Sequence, residues 1–549
     1  MRSVHWGISI LPRPTPLAAK SPFHIESEGP DSCVSLKENN MTSTPTLTQR
    51  AQLNFWQRHG LFLAVIAAYS AMAIPQLNHG LASLDGHGAV ATVRKWADSH
   101  HITNSRPPGH PTSEFYLYGT IGFVLRALFN QPFTDSLYLW LQFLAGLATA
   151  FVFYEWLCKL DLSPGRAAGA VCCVVFSVQF LNNTIDGEEF VVAILFLVAA
   201  LRLLTVGENE TISMTRIYIS MLCFALAVGC RPELLLAGVA YPIYFYLRPE
   251  LGFKRYLKAL PVQIGTGVLV WLPIMLSVHV GAPMGSGMSR KQALLGGGYK
   301  LLFQCFTLPV FALFCWTLAT QAMKLRSHLR ARFPLNFVLP ISWLIAVVYT
   351  LLFFSYPAKP AYALVVVPFC VLLAAWQSQV LVTLLTVCTL LGLFVQVDIF
   401  KDRRLTAPHL KPGVYFEVTR QKSFYLLSYL RDLNRLCGAS PTAIIAYVAP
   451  WDVEYHIARG DFEAQEQKLE GENTGVSGFT LPESHCVLMT SGAATGEWVQ
   501  KLNAQGFSVT MDERLYRYVF EKYDFKSQAK TSATITNIPV SLFSVSSNP

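Results

Sequence analysis

Four short stretches of this sequence carry ionisable side chains that their apolar surroundings do not explain. The first follows the first apolar run and contains Asp85, His87, Arg106, His110 and Glu114. Carboxylates and imidazoles gathered in one long loop are the residue types of general acid and base chemistry. Val90, Val93 and Ala97 recur at helical spacing, which predicts a helix starting just after Asp85. Asp85 can therefore cap that helix by accepting backbone N–H bonds, or act as a general base on an acceptor hydroxyl; both readings stand. Pro107, Pro108 and Pro111 stiffen the segment SRPPGHP, either as a plain turn or as a connector holding Arg106, His110 and Glu114 at one mouth.

The second stretch, NNTIDGEEF, holds Asp186, Glu188 and Glu189. Acids here suit the positive end of the following helix, and two acidic loops in one compartment also suit a divalent cation or base catalysis. The third, GCRPELL, sets Arg231 two residues from Glu233, giving a local ion pair or, because guanidinium matches phosphate geometry, an anion contact. The fourth, FSYPAKPAYALVVVPF, places Lys359 and Tyr362 at the start of an apolar run, where a lysine either snorkels or meets a lipid phosphate. The Gly-rich loop GAPMGSGMSRKQALLGGGYK adds Arg290, Lys291 and Lys300 and reads as a flexible lid or a substrate loop.

The elements that position these residues are membrane spans. The chain has 549 residues, of which 52% are hydrophobic and only 14% charged. Soluble domains carry about 25% charged residues, so a lone cytosolic domain and a disordered chain are both excluded. Apolar blocks fall near 60–77, 134–158, 165–182, 188–206, 216–230, 233–247, 259–281, 300–323, 335–356, 360–377 and 379–397, which predicts about eleven transmembrane helices. With the N-terminus inside, most Lys and Arg residues fall in cytoplasmic loops, so the net charge of +9 reports orientation and not a nucleic-acid partner. The piece 113–129 carries Arg126 and would invert every later loop if it spanned; it is expected on the outer interface as an amphipathic or re-entrant helix.

The expected organisation is a disordered cytoplasmic tail over 1–58 and a transmembrane domain over 59–399 with its first outer loop at 78–133. An extracytoplasmic α/β domain over 400–530 and a disordered Ser/Thr-rich tail over 531–549 follow. Runs such as TAIIAYV and HCVLMTS are the expected strands. Cys437 and Cys486 fall in the outer domain, where a disulfide is permitted but not required. The fold class is thus an all-α polytopic membrane protein with a small extracytoplasmic α/β domain.

In their order and sidedness these motifs resemble the polytopic glycosyltransferases of the C-type fold, the superfamily that includes protein O-mannosyltransferases and the lipid A aminoarabinose transferase. The resemblance covers roughly 55–400 and rests on Asp85 after the first span, the segment RPPGHPTSEFYLYG, the loop IDGEE, the Arg-Pro-Glu turn and KPAYALVVVPF. It implies a sugar moved with inversion from a polyprenyl-phosphate donor to the hydroxyl of a lipid, glycan or protein acceptor on the outer face. It also implies Asp85 as leading base and Lys359 with Tyr362 as leading phosphate contacts. Beside these, the four polar stretches themselves offer Asp186 and Glu114 as further catalytic candidates and His87, Arg106, His110, Glu188, Arg231 and Glu233 as candidate substrate contacts. No nucleotide cofactor is needed for such a reaction, a divalent cation stays open, and a bacterial inner membrane is the expected home. Two departures stand out: Asp85 is followed by Gly86 and His87 where many members have a second acid, and KPAY has no Arg before its Tyr. The alternative class is a transporter or lipid flippase, for which ionisable residues near mid-span, broken helices and internal repeats would be expected.

Overall fold

The computed structural model describes residues 55–78, 84–100, 114–205, 212–247, 252–277, 290–330, 338–355, 357, 360–401, 404–413 and 415, and the strand segments 442–446, 486–490, 507–511, 523–524, 529–530 and 540–547. The expected tail over 1–58 lies almost wholly outside these residues, as does Cys437.

Within the described residues all eleven apolar stretches are mainly helical, the last giving way to a strand at Val395. Helix α1 (Phe55–Ala73) continues into a 3-10 turn at Ile74–Gln76. It is followed by α2 (Leu84–Ser99), α3 (Glu114–Phe129), α4 (Asp135–Lys159), α5 (Pro164–Val175), α6 (Val178–Asp186), α7 (Phe190–Leu204) and α8 (Met214–Cys230). Then come α9 (Ala240–Leu247), α10 (Phe253–Ser277), α11 (Arg290–Lys300), α12 (Leu308–Arg330), α13 (Val338–Ser355), α14 (Val366–Gln377) and α15 (Gln379–Phe394). Five helical stretches are long and apolar enough to cross a membrane, or seven if each bent pair is one span, and Phe190–Leu204, Met214–Cys230 and Gln379–Phe394 are shorter apolar helices. The chain is a multi-pass membrane protein.

Two expected spans are broken. The block near 165–182 bends by 59° between α5 and α6, and the block near 300–323 bends by 111° between Ala293–Cys305 and α12. The second break follows a π turn at Leu301–Cys305, and Pro309, which has no N–H to donate, opens the next helix.

Caps fix several starts. Thr134, Ser213 and Ser378 each accept, through the side-chain oxygen, the backbone N–H three residues on, at 3.1, 3.3 and 3.1 Å. Gly187 ends α6 in the left-handed conformation, φ +75°, and the N–H groups of Gly187 and Glu188 both reach the Asn183 carbonyl at 3.1 Å. That turn delivers Glu189 to the start of α7.

The core runs along α7 and α14, whose residues Val366–Ala375 are all buried. By contrast α10 exposes Leu269 and Leu276 at 76% and 77%, an apolar surface suited to lipid and not to water. The piece 113–129 forms the 16-residue α3, too short to cross a membrane alone, and packs along α2. There Gly119 and Gly122 admit Trp96 and Phe133, since a Cβ at either would lie 2.2 or 2.7 Å from those rings. On its other side α3 exposes the apolar Leu117, Val124 and Leu128, a face suited to lipid.

After α15 an antiparallel hairpin joins β1 (Val395–Lys401) to β2 (Arg404–Pro412), pairing Val395 with Pro412. Farther on, β3 (Thr442–Ala446), β4 (Cys486–Thr490) and β5 (Phe507–Met511) are strands of a mixed sheet. Short β6 (Tyr523–Asp524) and β7 (Ala529–Lys530) pair with each other, and β8 (Val540–Ser547) completes the larger sheet in the order β3-β4-β8-β5. TAIIA and CVLMT pair in parallel as neighbouring strands, Ile444 opposite Leu488. Within the Ser/Thr-rich end, expected to be disordered, residues 540–547 form β8. With Val540, Leu542, Phe543 and Val545 among its residues, β8 pairs antiparallel with both β4 and β5.

Candidate functional site

Three of the four unexplained stretches meet at one place. Arg231 leaves α8 in an extended conformation, φ −141° and ψ 99°, just before Pro232 opens a 3-10 helix over Pro232–Val239. Its Nη1 donates to Glu189 Oε1 at 2.6 Å and its Nε to Glu233 Oε1 at 2.7 Å. The side chains of Arg231 and Glu189 are 8% and 1% exposed, whereas that of Glu233 keeps 27%. Tyr362 arrives on the 3-10 turn Pro360–Val365. The Arg231 guanidinium lies 4.0 Å from the centre of the Phe190 ring and 4.8 Å from that of Tyr362, and the two rings are 5.7 Å apart. Tyr349 donates its hydroxyl to the Glu233 carbonyl at 2.8 Å, tying α13 to the same turn.

The local Arg231–Glu233 ion pair therefore forms, and Glu189 joins it. One guanidinium shared by two carboxylates leaves the trio with one net negative charge. A phosphate approaching Arg231 directly would have to displace a carboxylate from it. The arrangement is better suited to fixing acids and an aromatic wall than to gripping an anion through Arg231 alone.

A second buried polar group adjoins it. Glu114 opens α3 with its side chain buried and accepts the Tyr138 hydroxyl, while Gln142, one turn along α4, donates its Nε2 to the Tyr138 oxygen at 3.2 Å. Tyr118 packs edge-on against Tyr138 with ring centres 5.5 Å apart. Burial pushes the Tyr118 hydroxyl well above the usual phenol range, with Glu114 and Cys230 adding to the effect. Tyr138 interacts electrostatically with both Glu114 and Glu189, so the two groups form one polar region at the ends of α3, α4, α7 and α8.

The other expected residues fall as follows. Helix α2 begins at Leu84, so Asp85 lies within its first turn instead of just ahead of it, and His87 follows on the same helix. Asp186 is the last residue of α6 and half-buried, and Glu188 is half-buried beyond the Gly187 turn. Arg106, His110 and Lys359 lie outside the described residues. Among the described residues no three His, Cys, Asp or Glu side chains group as a metal site. Sequence reasoning passed over Glu189 as a cap, and passed over Tyr118, Tyr138 and Gln142. The last two are a polar pair at i and i+4 inside an apolar helix, and that pattern is itself a signal of an inward polar face.

No protein-family model and no curated protein matches the chain. Among solved structures, ArnT from Cupriavidus metallidurans bound to undecaprenyl phosphate superposes with a TM-score of 0.50 at 11% identity, covering 89% of this chain and 98% of that one. The chain has the C-type glycosyltransferase fold. The oligosaccharyltransferase of Archaeoglobus fulgidus in its apo form gives a TM-score of 0.45 at 12% identity over 72% of this chain and 63% of that one. The Archaeoglobus fulgidus AglB complex with an inhibitory peptide and a dolichol-phosphate gives 0.38 at 13% over 59% and 51%. Within the C-type fold, the Glu189–Arg231–Glu233 trio and the Glu114–Tyr138–Gln142 chain are the polar constellation that this sequence builds from its own residues.

Proposed function

We propose that the protein transfers a sugar from a polyprenyl-phosphate-linked donor to an acceptor hydroxyl at the outer face of the membrane, with inversion at the anomeric carbon. The observation that carries this reading is the meeting of IDGEEF, CRPE and KPAY around Arg231. The fold supports it, as does the undecaprenyl phosphate bound to ArnT, a protein of like fold.

The first step is removal of the acceptor's hydroxyl proton, which we assign to Asp85 in the first turn of α2. The acceptor oxygen then forms a bond to the anomeric carbon as the bond from that carbon to the phosphate oxygen breaks. The products are the glycosylated acceptor and polyprenyl phosphate, whose negative charge rises by one. Because Arg231 is committed to Glu189 and Glu233, charge on the leaving phosphate is assigned to Lys359, three residues before Tyr362. Arg231 holds the Tyr362 ring and the two glutamates in place, a positioning role. We further propose a bacterial inner membrane as its location, with a lipid, glycan or protein as acceptor.

A second reading, a transporter or flippase, is favoured by one observation: two spans are broken, and Ser177 and Thr307 at the breaks line one small common cavity of about 10 Å³. Discontinuous helices are a transporter device. The experiment that separates the readings uses the purified full chain in lipid. Release of polyprenyl phosphate from a panel of polyprenyl-phosphate sugars is measured for the wild type, Asp85→Asn and Lys359→Ala. Release by the wild type and its loss in a folded Asp85→Asn variant is the expected result. Movement of donor or another lipid across the bilayer with no release would overturn the transferase reading.

A further inference from the structure

Of the three cations in the Gly-rich stretch, Arg290 and Lys291 are exposed, whereas Lys300 at the end of α11 is buried, with 7% exposure. Burying an ammonium is costly unless it is hydrogen-bonded. Lys300 Nζ donates to the carbonyl of Pro357. Five residues on, the buried Cys305 thiol donates to the carbonyl of Pro360, with Sγ 3.2 Å from the oxygen. A proline has no N–H, so its carbonyl is its one polar backbone group, and α11 with its π turn takes that group from both prolines. In sequence Lys359 stands between them, and Tyr362 follows two residues after the second.

The π turn is what lets one element hold both carbonyls. In an α-helix side chains five residues apart point about 140° away from each other. Here the Phe306 N–H reaches back five residues to the Leu301 carbonyl at 3.1 Å, which widens the turn and brings Lys300 and Cys305 to the same segment. The turn is itself fixed from other sides. Gln179 of α6 donates Nε2 to the Gln304 carbonyl at 2.8 Å. Tyr299 donates its hydroxyl to Asp398 of β1 at 3.3 Å, and that carboxylate pairs with Lys411 of β2 at 2.7 Å. A Cβ at Gly297 would lie 2.8 Å from Phe354 Cδ1, so α11 runs close along the end of α13, just ahead of Pro357.

We propose that Lys300 is a positioning residue: with Cys305 it clamps the Pro357–Pro360 stretch and thereby sets where Lys359 stands towards the departing phosphate. This role rests on the transferase reading and on Lys359 as the group that meets that phosphate. Lys300 acts through the segment and not on substrate, and its charge makes the bond to the Pro357 carbonyl stronger than a neutral donor would.

The test makes two measurements on the full chain in lipid. One is the kinetics of polyprenyl phosphate release from the donor that the wild type consumes, and the other is backbone hydrogen exchange over 361–365 by mass spectrometry. Lys300→Met is expected to lower kcat between about 10- and 100-fold with KM nearly unchanged, because a displaced cation is missed chiefly in the transition state. It should also speed exchange over 361–365 while leaving α7 as in the wild type. Lys300→Arg, which keeps a charged donor, should recover most of both. Added to Lys359→Ala, Lys300→Met should lower kcat no further, whereas a merely structural loss would add to it. Cys305→Ala carries the test, with a smaller effect, if Lys300→Met does not fold. An active wild type whose kcat is unchanged in Lys300→Met and Cys305→Ala, or a double variant whose losses add, overturns the proposal. Exchange over 361–365 left unchanged by Lys300→Met overturns the clamp whether or not the wild type is active. A wild type that releases no polyprenyl phosphate from any donor overturns the transferase reading, and the role towards Lys359 with it.

Discussion

Arg231 Nη1 lies 2.6 Å from Glu189 Oε1 with both side chains almost wholly removed from solvent, a contact that locks the turn after α8 to the start of α7. Neither charge is cheap to bury, and each is tolerable because of the other. Glu189→Gln is therefore expected to destabilise the protein by about 3 kcal/mol, the range for breaking a buried pair from one side. Arg231→Met should cost as much or more, since it strands Glu189 and frees Glu233. The double variant Glu189→Gln/Arg231→Met should cost less than the two single changes together. Thermal or denaturant unfolding in a fixed detergent reads all three; additive losses would show that the contact does not couple the two elements.

Tyr138 supplies the hydrogen bond that a buried Glu114 carboxylate accepts, and Gln142 steadies the Tyr138 oxygen. Tyr138→Phe keeps the ring and removes the donor, for an expected loss of about 2 kcal/mol, while Gln142→Leu should lose less because it leaves the Glu114 bond in place. On the transferase reading Tyr138→Phe also lowers turnover, Glu114 being no longer held. An unfolding curve unmoved by Tyr138→Phe would count against a bond there.

How much of this could be read from the sequence differs by feature, for physical reasons. Apolar length needs no partner to be visible, so all eleven stretches were legible. The bends were not, because hydropathy adds up through Phe176–Ser177 and Phe306–Thr307 without registering the break; Pro309 was the one local sign of the second. The site was half legible. Arg231, Glu233 and Tyr362 stood out as polar or amphipathic residues at span ends, and Lys359 with them. The choice between Glu188 and Glu189 depends on the left-handed turn at Gly187, which decides which glutamate faces Arg231. No spacing rule carries that. Residues 540–547 show the converse case, in which Ser content hid a strand that carries Val540, Leu542, Phe543 and Val545.

Alkaline pH offers a test of the Glu114 region. The Tyr118 hydroxyl titrates well above its ordinary value of 10.0 in the folded protein, mainly through burial. The folded state thus keeps a proton that the unfolded state gives up, so Tyr118 contributes stability in full below about pH 10 and loses it as pH rises from there towards the folded value. Wild type is expected to lose thermal stability between about pH 9.5 and 11 more steeply than Tyr118→Phe. Parallel slopes for the two proteins would remove Tyr118 from the list of groups buried neutral.

Gly146 on α4 lets Tyr69 of α1 reach Thr184 of α6, where the tyrosine hydroxyl donates to Oγ1 at 2.9 Å. A Cβ at position 146 would lie 2.3 Å from the Tyr69 hydroxyl oxygen but 3.3 Å from its Cζ, so the clash belongs almost entirely to the hydroxyl. Gly146→Ala is expected to cost about 1–3 kcal/mol, because Tyr69 must move and its bond to Thr184 is lost. Tyr69→Phe alone removes the bond and keeps the ring, for a loss of about 1 kcal/mol. Combined, the two changes should cost little more than Tyr69→Phe by itself, since the atom that meets the new methyl is gone and a helix interior favours alanine over glycine by about 1 kcal/mol. The measurement is unfolding of the three variants under one condition, and full additivity would mean that α1, α4 and α6 do not pack through this contact.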